Sequence, residues 1–251
     1  MNAVRRSELV PDKVMPHRIV HAKSYPFPIP DGSFVYDNGV TRPHDPASLI
    51  GEGRTPVLAA GSNQSPEQIH RKFGGLSGDV VVPSQRGRLH DFDVVYAAHL
   101  ARYGSVPATF QASPGTSVTV FVQWLDDAQL ARMHETEGSY SYDCLSRIRV
   151  ELDDGHGVLT EAFAYSAKAG CVNRSGSPAS LAEISASGRR FPQFTQSEML
   201  THLRDQLAPG HDLDQFILDH ITDDGTRHTR AQSLAADALP LLFERRVVAT
   251  L

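Results

Sequence analysis

Apolar and polar positions alternate with two different periodicities along this chain, one typical of strands and one typical of helices. In its middle part, short apolar runs rich in β-branched and aromatic residues are separated by glycine, proline and aspartate, which predicts strands joined by turns. The predicted strands are TPVLA, residues 80–82, residues 92–96, ATFQA, SVTVFVQWL, LSRIRVEL and LTEAFAYSA. A Ser-Pro-Gly turn is expected between the fourth and the fifth of these strands, and DDGHG joins the last two.

Apolar residues at helical spacing occur directly after the first strand and again in most of the later part of the chain. In SPEQIHRKF, Ser65 is placed to cap a helix, Pro66 suits its first position, and Gln68 stands three residues after the cap. DAQLARMHETEG predicts a second helix that ends at Gly138. Further helices are predicted for SPASLAEISASGRRF, PQFTQSEMLTHLRDQL, DLDQFILDHI and RAQSLAADALPLLFERRVV. Strands that precede most of the helices favour an α+β fold around a curved, antiparallel or mixed sheet.

The first 54 residues differ in character from the rest. They are rich in proline, glycine and aspartate, which disfavours a long helix and predicts an extended arm on the main body, with a strand and an Asn-Gly turn in GSFVYDNG. We therefore divide the chain into an N-terminal extension (1–54), a core domain (55–206) and a C-terminal helical extension (207–251). His17 and His21 have a spacing of four residues, but in a non-helical arm they would not share one face.

Composition, net charge and cysteine count argue against several classes of protein. The chain has 251 residues, of which 40% are hydrophobic and 21% charged, and its formal net charge is -5. Neither a nucleic-acid surface nor a membrane span is expected from this balance, and the N-terminus lacks the apolar stretch of a secretory signal. The two cysteines, Cys144 and Cys171, are too few for a disulfide framework. We expect a cytoplasmic protein without a metal or cofactor, since no zinc, P-loop, dinucleotide or hydrolase motif occurs.

The turn AAGSNQS, between the first strand and the first capped helix, is one candidate for chemistry. Gly61 can adopt a positive φ or let a ligand approach the backbone closely. Ser62 and Asn63 follow with backbone N–H groups near a helix N-terminus, where a carboxylate or an oxyanion would be stabilised. An ordinary turn whose donors are satisfied by water or caps explains the same residues.

The second candidate is HETEG. Glu135 and Glu137 lie at the end of a predicted helix, where a carboxylate meets the negative end of the helix dipole. Such a local conflict indicates either a functional acid or two solvated side chains.

Four stretches, in this order, resemble motifs of the γ-glutamyl cyclotransferase superfamily. They are LAAGSNQS, GSVPATFQASPGTSVTVFVQWL, LARMHETEGSYSY and LAEISASGRRFPQFTQSEMLTHL, and the resemblance covers residues 57–204. Ala60 departs from the family, whose loop usually begins with tyrosine at this place.

The resemblance implies a fold and a reaction. The fold is a small barrel formed by the curved sheet, with flanking helices. In the reaction, the α-amine of a γ-glutamyl compound attacks its own γ-carbonyl, which releases 5-oxoproline and an amine or amino acid without any cofactor. Glu137, which directly precedes Gly138 as in the family, would be the general base and acid, with Glu135 as its rival.

The resemblance also implies a binding loop and a small-molecule γ-glutamyl substrate. The loop is formed by the backbone of Ala60, Gly61, Ser62, Asn63 and Gln64. Tyr142 would line the pocket or belong to the core. The same residues also fit a related removal of a γ-glutamyl group from another amine. A catalytically silent binding or interaction protein on the same scaffold is the alternative function.

Overall fold

The computed structural model describes residues 15–43 and 53–251. Its helices are α1 (Met15–Lys23), α2 (Pro66–Phe73), α3 (Asp127–Thr136), α4 (Gln196–Leu207), α5 (Leu213–Thr222) and α6 (Asp224–Ala236). Its strands are β1 (Phe34–Asp37), β2 (Val40–Pro43), β3 (Thr55–Ala59), β4 (Val81–Tyr96), β5 (Ala108–Leu125), β6 (Tyr140–Leu152), β7 (Val158–Ala167), β8 (Asn173–Arg174), β9 (Ser177–Pro178), β10 (Ser180–Leu181), β11 (Ala186–Ser187), β12 (Gln193–Phe194) and β13 (Arg246–Thr250).

Five strands close into a small barrel. Their order is β5, β3, β7, β6 and β4, and β4 pairs again with β5 to complete the ring. The β3–β7 pair is parallel and the other barrel pairs are antiparallel. Together with six flanking helices, this mixed barrel confirms the α+β class. No helix of the described part has the length and apolar character that a membrane crossing requires.

The longest barrel strands correct two predictions. The runs 80–82 and 92–96 are the two ends of one bent strand, β4, and the Ser-Pro-Gly segment lies inside β5 as a bulge instead of a turn. Residues 113–116 of β5 stand opposite Asp91 alone, and Asp91 (φ 62°) accepts the N–H of Gly115 (φ 84°) at 2.8 Å. Glycine at a positive φ serves a bulge as well as a turn, so the local signal did not distinguish them.

The arm contains a helix that the proline content argued against. The prediction of an entirely extended arm is wrong, because α1 includes both His17 and His21. Pro16 lies in the first helical turn, where its missing N–H would be unsatisfied anyway. The predicted strand and Asn-Gly turn are confirmed as the β1–β2 hairpin, which joins the sheet beside β4.

Two late helix predictions also need correction. SPASLAEISASGRRF forms no helix but the short strands β10 and β11, which pair with β4 and β5 respectively. In RAQSLAADALPLLFERRVV, helix α6 ends at Ala236, before Pro240, and the last residues form β13 on the edge of β6. Pairing with an open strand edge outweighs helix propensity in both segments. The helices predicted in PQFTQSEMLTHLRDQL and DLDQFILDHI are confirmed as α4 and α5.

Candidate active site

One large cavity lies where the loop after β3 approaches the end of α3. The loop runs from Ala60 to Ser65 through a single 3-10 turn, Ser62–Gln64, and Ser65 then caps α2 as predicted. Glu137 is the residue that ends α3 before β6 begins. The cavity between them has a volume of about 980 Å³.

Glu137 is buried beside this loop, with 8% of its surface exposed. Its Oε1 accepts a hydrogen bond from Asn63 Nδ2 at 3.1 Å and forms an ion pair with Lys72 Nζ. Within residues 15–43 and 53–251, no hydrogen-bond partner contacts its Oε2. One carboxylate oxygen is therefore held in place, and the other is left for a ligand in the cavity.

Lys72 is a site residue that the sequence analysis missed. It lies on α2 in the buried stripe formed with Gln68, Ile69 and Phe73. Its ammonium also lies 3.1 Å from the sulfur of Met133. An unpaired charge at this depth would be strongly unfavourable, so Lys72 and Glu137 compensate each other. A lysine at core spacing on an amphipathic helix is the signal that would have found it.

Glu135 occupies a different environment at the rim of the cavity. Its side chain is 64% exposed and pairs with Arg132, three residues earlier on α3, at 2.6 Å. Exposed pairs of this kind are weak and leave the carboxylate solvated. Only Glu137, of the two glutamates in HETEG, contacts the 60–64 loop.

The loop itself is fixed by internal hydrogen bonds. Ala60, Gly61, Ser62 and Asn63 line the cavity, whereas Gln64 is buried and donates from Nε2 to the Ala60 carbonyl at 3.0 Å. The Gln64 N–H also bonds the Gly61 carbonyl, at 2.9 Å. Gln64 therefore holds the loop shape and does not face the cavity as the sequence analysis expected.

Tyr25 of the arm explains why residue 61 is glycine. A Cβ atom on Gly61 would overlap the Tyr25 hydroxyl and would lie 2.9 Å from its Cζ and 3.1 Å from the Ala108 Cβ. Gly61 has a φ of -134°, so of the two properties of glycine considered at this position, the close approach to the backbone is the one that the structure uses. The close approach comes from the arm, in which the sequence analysis had placed no site residue.

Four tyrosines line the cavity, and Tyr142 is not one of them. The lining tyrosines are Tyr25, Tyr103, Tyr140 and Tyr165. Tyr142 stacks on Phe163 with ring centroids 5.0 Å apart and meets His134 edge-on at 4.7 Å. Of the two roles that the sequence left open for Tyr142, the core position is the one it occupies.

Burial keeps the lining tyrosines neutral. It raises the pKa of Tyr103 to about 12, and it raises the pKa of Tyr25, Tyr140 and Tyr165 further above their usual range. The neighbouring Glu137 carboxylate contributes to each of these shifts. At neutral pH these phenols therefore keep their O–H hydrogens.

The cavity wall carries more cations than anions. Its basic side chains are Arg71, Lys72, Arg102, Arg132 and Arg227, and its acidic ones are Glu135, Glu137 and Asp224. Each of these acids pairs with one of the cations, and Arg71 pairs with Glu67 outside the lining. Arg102 has no acidic partner among the described residues. The excess positive charge favours an anionic ligand.

No metal centre is formed by the part of the chain that the structure describes. Within it, no three histidine, cysteine, aspartate or glutamate side chains come close enough together to hold a metal ion.

Comparison with known proteins finds low similarity to solved structures. The sequence matches no protein-family model and no curated protein. An uncharacterized protein from Homo sapiens is similar at 17% identity, over 78% of this chain and 94% of that chain, with a TM-score of 0.39. A gamma-glutamyl cyclotransferase is similar at 17% identity, over 77% of this chain and 93% of that chain, with a TM-score of 0.38. Likeness of this degree does not identify a reaction.

Proposed function

We propose that this protein is an enzyme that cyclises a γ-glutamyl compound to 5-oxoproline and releases an amine or amino acid. The observation that carries this proposal is the Glu137 carboxylate, which is buried, anchored through Oε1 and free at Oε2 inside a large cavity. A base for this reaction must contact an ammonium group away from bulk water, and this carboxylate has that environment.

The chemistry requires two protons to pass from the attacking nitrogen to the leaving nitrogen. Glu137 Oε2 takes a proton from the substrate's α-ammonium group, and the resulting amine attacks the γ-carbonyl carbon. The new carbon–nitrogen bond closes a five-membered ring, and the carbonyl oxygen carries the negative charge until it re-forms the double bond. Glu137 then gives its proton to the leaving nitrogen as the old carbon–nitrogen bond breaks. It takes the second proton from the ring nitrogen, which becomes the amide N–H of 5-oxoproline, and passes that proton to the released amine, which leaves as an ammonium ion. One amide replaces another, so the step itself consumes no second reactant.

Lys72 and Asn63 support this role by holding Oε1. With one carboxylate oxygen fixed by two donors, the other has a defined direction into the cavity. Positioning of this kind contributes strongly to ring closure, since the attacking amine and the carbonyl belong to the same flexible molecule. The excess cations of the wall include Arg102, which has no acidic partner in the described part of the chain, and they match the α-carboxylate that every γ-glutamyl compound carries.

The silent-scaffold alternative would be favoured by an arm that fills the site. Tyr25 instead lines the wall, and about 980 Å³ stays available for a ligand. We therefore retain the enzyme as the proposal.

A substrate panel tests it. The purified chain is incubated with γ-glutamyl amino acids and γ-glutamyl amines, and 5-oxoproline is measured. We expect turnover of at least one class, and we expect Glu137→Gln to lower kcat by about 10²–10⁴-fold, the usual contribution of a general acid–base group. Glu135→Gln is the matched control and should keep nearly full activity, because its solvated carboxylate lies at the rim. Unchanged activity in Glu137→Gln would refute the mechanism, and no 5-oxoproline from any substrate would refute the function.

A further inference from the structure

We propose that the Tyr25 hydroxyl, supplied by the N-terminal arm, donates a hydrogen bond to the γ-carbonyl oxygen as that oxygen becomes negatively charged. The inference rests on the proposed function and adds to it a catalytic residue outside the 57–204 segment.

The position of the hydroxyl is fixed by the loop. It occupies the space that a side chain on residue 61 would take, between the backbone of the 60–64 loop and the start of β5. The Ala108 N–H donates to its oxygen at 2.9 Å, and the Ser62 N–H is also directed at it. Tyr25 is only 2% exposed, yet it belongs to the cavity lining.

These contacts leave the phenol's own hydrogen unused. Both backbone groups are donors, so the oxygen acts towards them as an acceptor. The remaining O–H is the one polar bond of the residue that can point to a ligand. The hydrogen bond from the Ala108 N–H also polarises the phenol and makes it a stronger donor in turn.

Other tyrosines of the lining are engaged differently. Tyr140 donates its hydrogen to the Ala108 carbonyl at 3.1 Å, and Tyr165 bonds His134 Nδ1 at 2.8 Å. Tyr103 shares a hydrogen bond with the Ser62 hydroxyl. Tyr25 is therefore the lining phenol whose oxygen accepts a backbone N–H at hydrogen-bond distance, while its own hydrogen has no protein partner among the described residues.

The arm holds this residue firmly enough for catalysis. Just before Tyr25, the Ser105 hydroxyl donates to the Ala22 carbonyl at 2.8 Å. The Tyr25 ring meets Phe27 edge-on with centroids 5.9 Å apart. A donor that is already oriented stabilises developing charge without reorganisation, which is the requirement for an oxyanion donor.

Tyr25→Phe tests the role of the hydroxyl while keeping the ring. We expect kcat for 5-oxoproline release to fall by about 10²–10³-fold with little change in KM, as for other oxyanion donors. The matched control is Tyr96→Phe, which removes a buried tyrosine hydroxyl that lies outside the cavity lining and donates to the Phe194 carbonyl at 2.9 Å. It should lower Tm to a similar extent and keep kcat close to the wild-type value.

Incorporation of 3-fluorotyrosine at position 25 separates donation from a structural role. Fluorine makes the phenol a stronger donor and a weaker acceptor. An oxyanion donor should therefore keep or raise kcat in this variant, whereas a hydroxyl that serves only as a structural acceptor would be weakened and would lower kcat. Wild-type kcat in Tyr25→Phe, a lowered kcat with 3-fluorotyrosine, or equal losses of kcat in Tyr25→Phe and Tyr96→Phe overturns the inference alone. An inactive wild-type chain overturns the proposed function and this inference together.

Discussion

At the scale of single residues, the site is defined by a buried charge pair. Lys72 and Glu137 come from two helices and have side chains that are 6% and 10% exposed. Removing one partner of a buried pair leaves the other charge without compensation, which typically costs about 3–5 kcal/mol. Replacing both partners with uncharged residues avoids that penalty. Variants of this pair can therefore separate an effect on the stability of the fold from an effect on catalysis.

The combination of Glu137→Gln with Lys72→Met makes that separation. We expect Glu137→Gln alone to lower Tm, because the Lys72 ammonium loses its partner, and to lower kcat by about 10²–10⁴-fold, because the base is lost. The double variant should recover most of the lost Tm and none of the activity. Thermal unfolding and a 5-oxoproline assay on the same samples check this. A double variant as unstable as the single one, or one that regains turnover, would contradict it.

At the scale of elements, the loop after β3 and the arm pack closely against each other because residue 61 has no side chain. Gly61 provides the space that the Tyr25 hydroxyl fills, and Gln64 fixes the loop by bonding Ala60. The loop and the arm are thus one packed unit, although 35 residues separate Tyr25 from Ala60 in sequence.

Gly61→Ala should disrupt this unit. The added methyl group overlaps the Tyr25 hydroxyl, and overpacking of this kind costs about 1–3 kcal/mol. We expect a lower Tm and a lower kcat, since Tyr25 must move. Gly75→Ala is the control, because no atom lies within 4 Å of the Cβ that it would add. Equal Tm values for the two variants would show that the contact is unimportant.

At the scale of the whole molecule, buried histidines link folding to pH. Burial lowers the pKa of His99 to about 4, and burial together with Arg230 lowers the pKa of His220 to about 3. The ordinary pKa of a histidine side chain is 6.5. Below that pH the unfolded chain binds protons that the folded chain does not bind. Stability is therefore fully present above pH 6.5 and is lost as the pH falls towards 4.

The dependence of Tm on pH measures this effect. Each such histidine contributes up to about 1.4 kcal/mol of unfolding free energy per pH unit within that range. A chain carrying His99→Gln and His220→Gln should show a flatter decline between pH 6.5 and 4.5, whatever its absolute Tm. Parallel curves for the two chains would rule out these histidines as the cause.

Short sequence motifs predicted the features that depend on a few adjacent residues, such as the start of a helix and a tight turn. Ser65 and Pro66 set the start of α2, and Asn38-Gly39 sets the β1–β2 turn, because capping and backbone conformation depend on a few adjacent residues. Glu137 and Asn63 were both selected from the sequence, and they meet at 3.1 Å.

Features that depend on distant contacts were not predictable in this way. No sequence pattern around Tyr25 indicates its role, since its position depends on how the arm packs against the 60–64 loop and Ala108. The β13 strand carries helix-compatible residues but finds an open edge on β6. Lys72 is intermediate, because its spacing on α2 indicated burial but nothing indicated its partner.

The Lys72–Glu137 pair also constrains how this chain can diverge in evolution. A lineage that abandons the reaction and loses the acid at 137 keeps an uncompensated ammonium in its interior, so a second replacement at 72 should follow. Positions 72 and 137 should therefore change together among natural relatives. A relative with two uncharged residues there will have kept the barrel and given up the chemistry, and a relative that retains both charges is still under selection for the site.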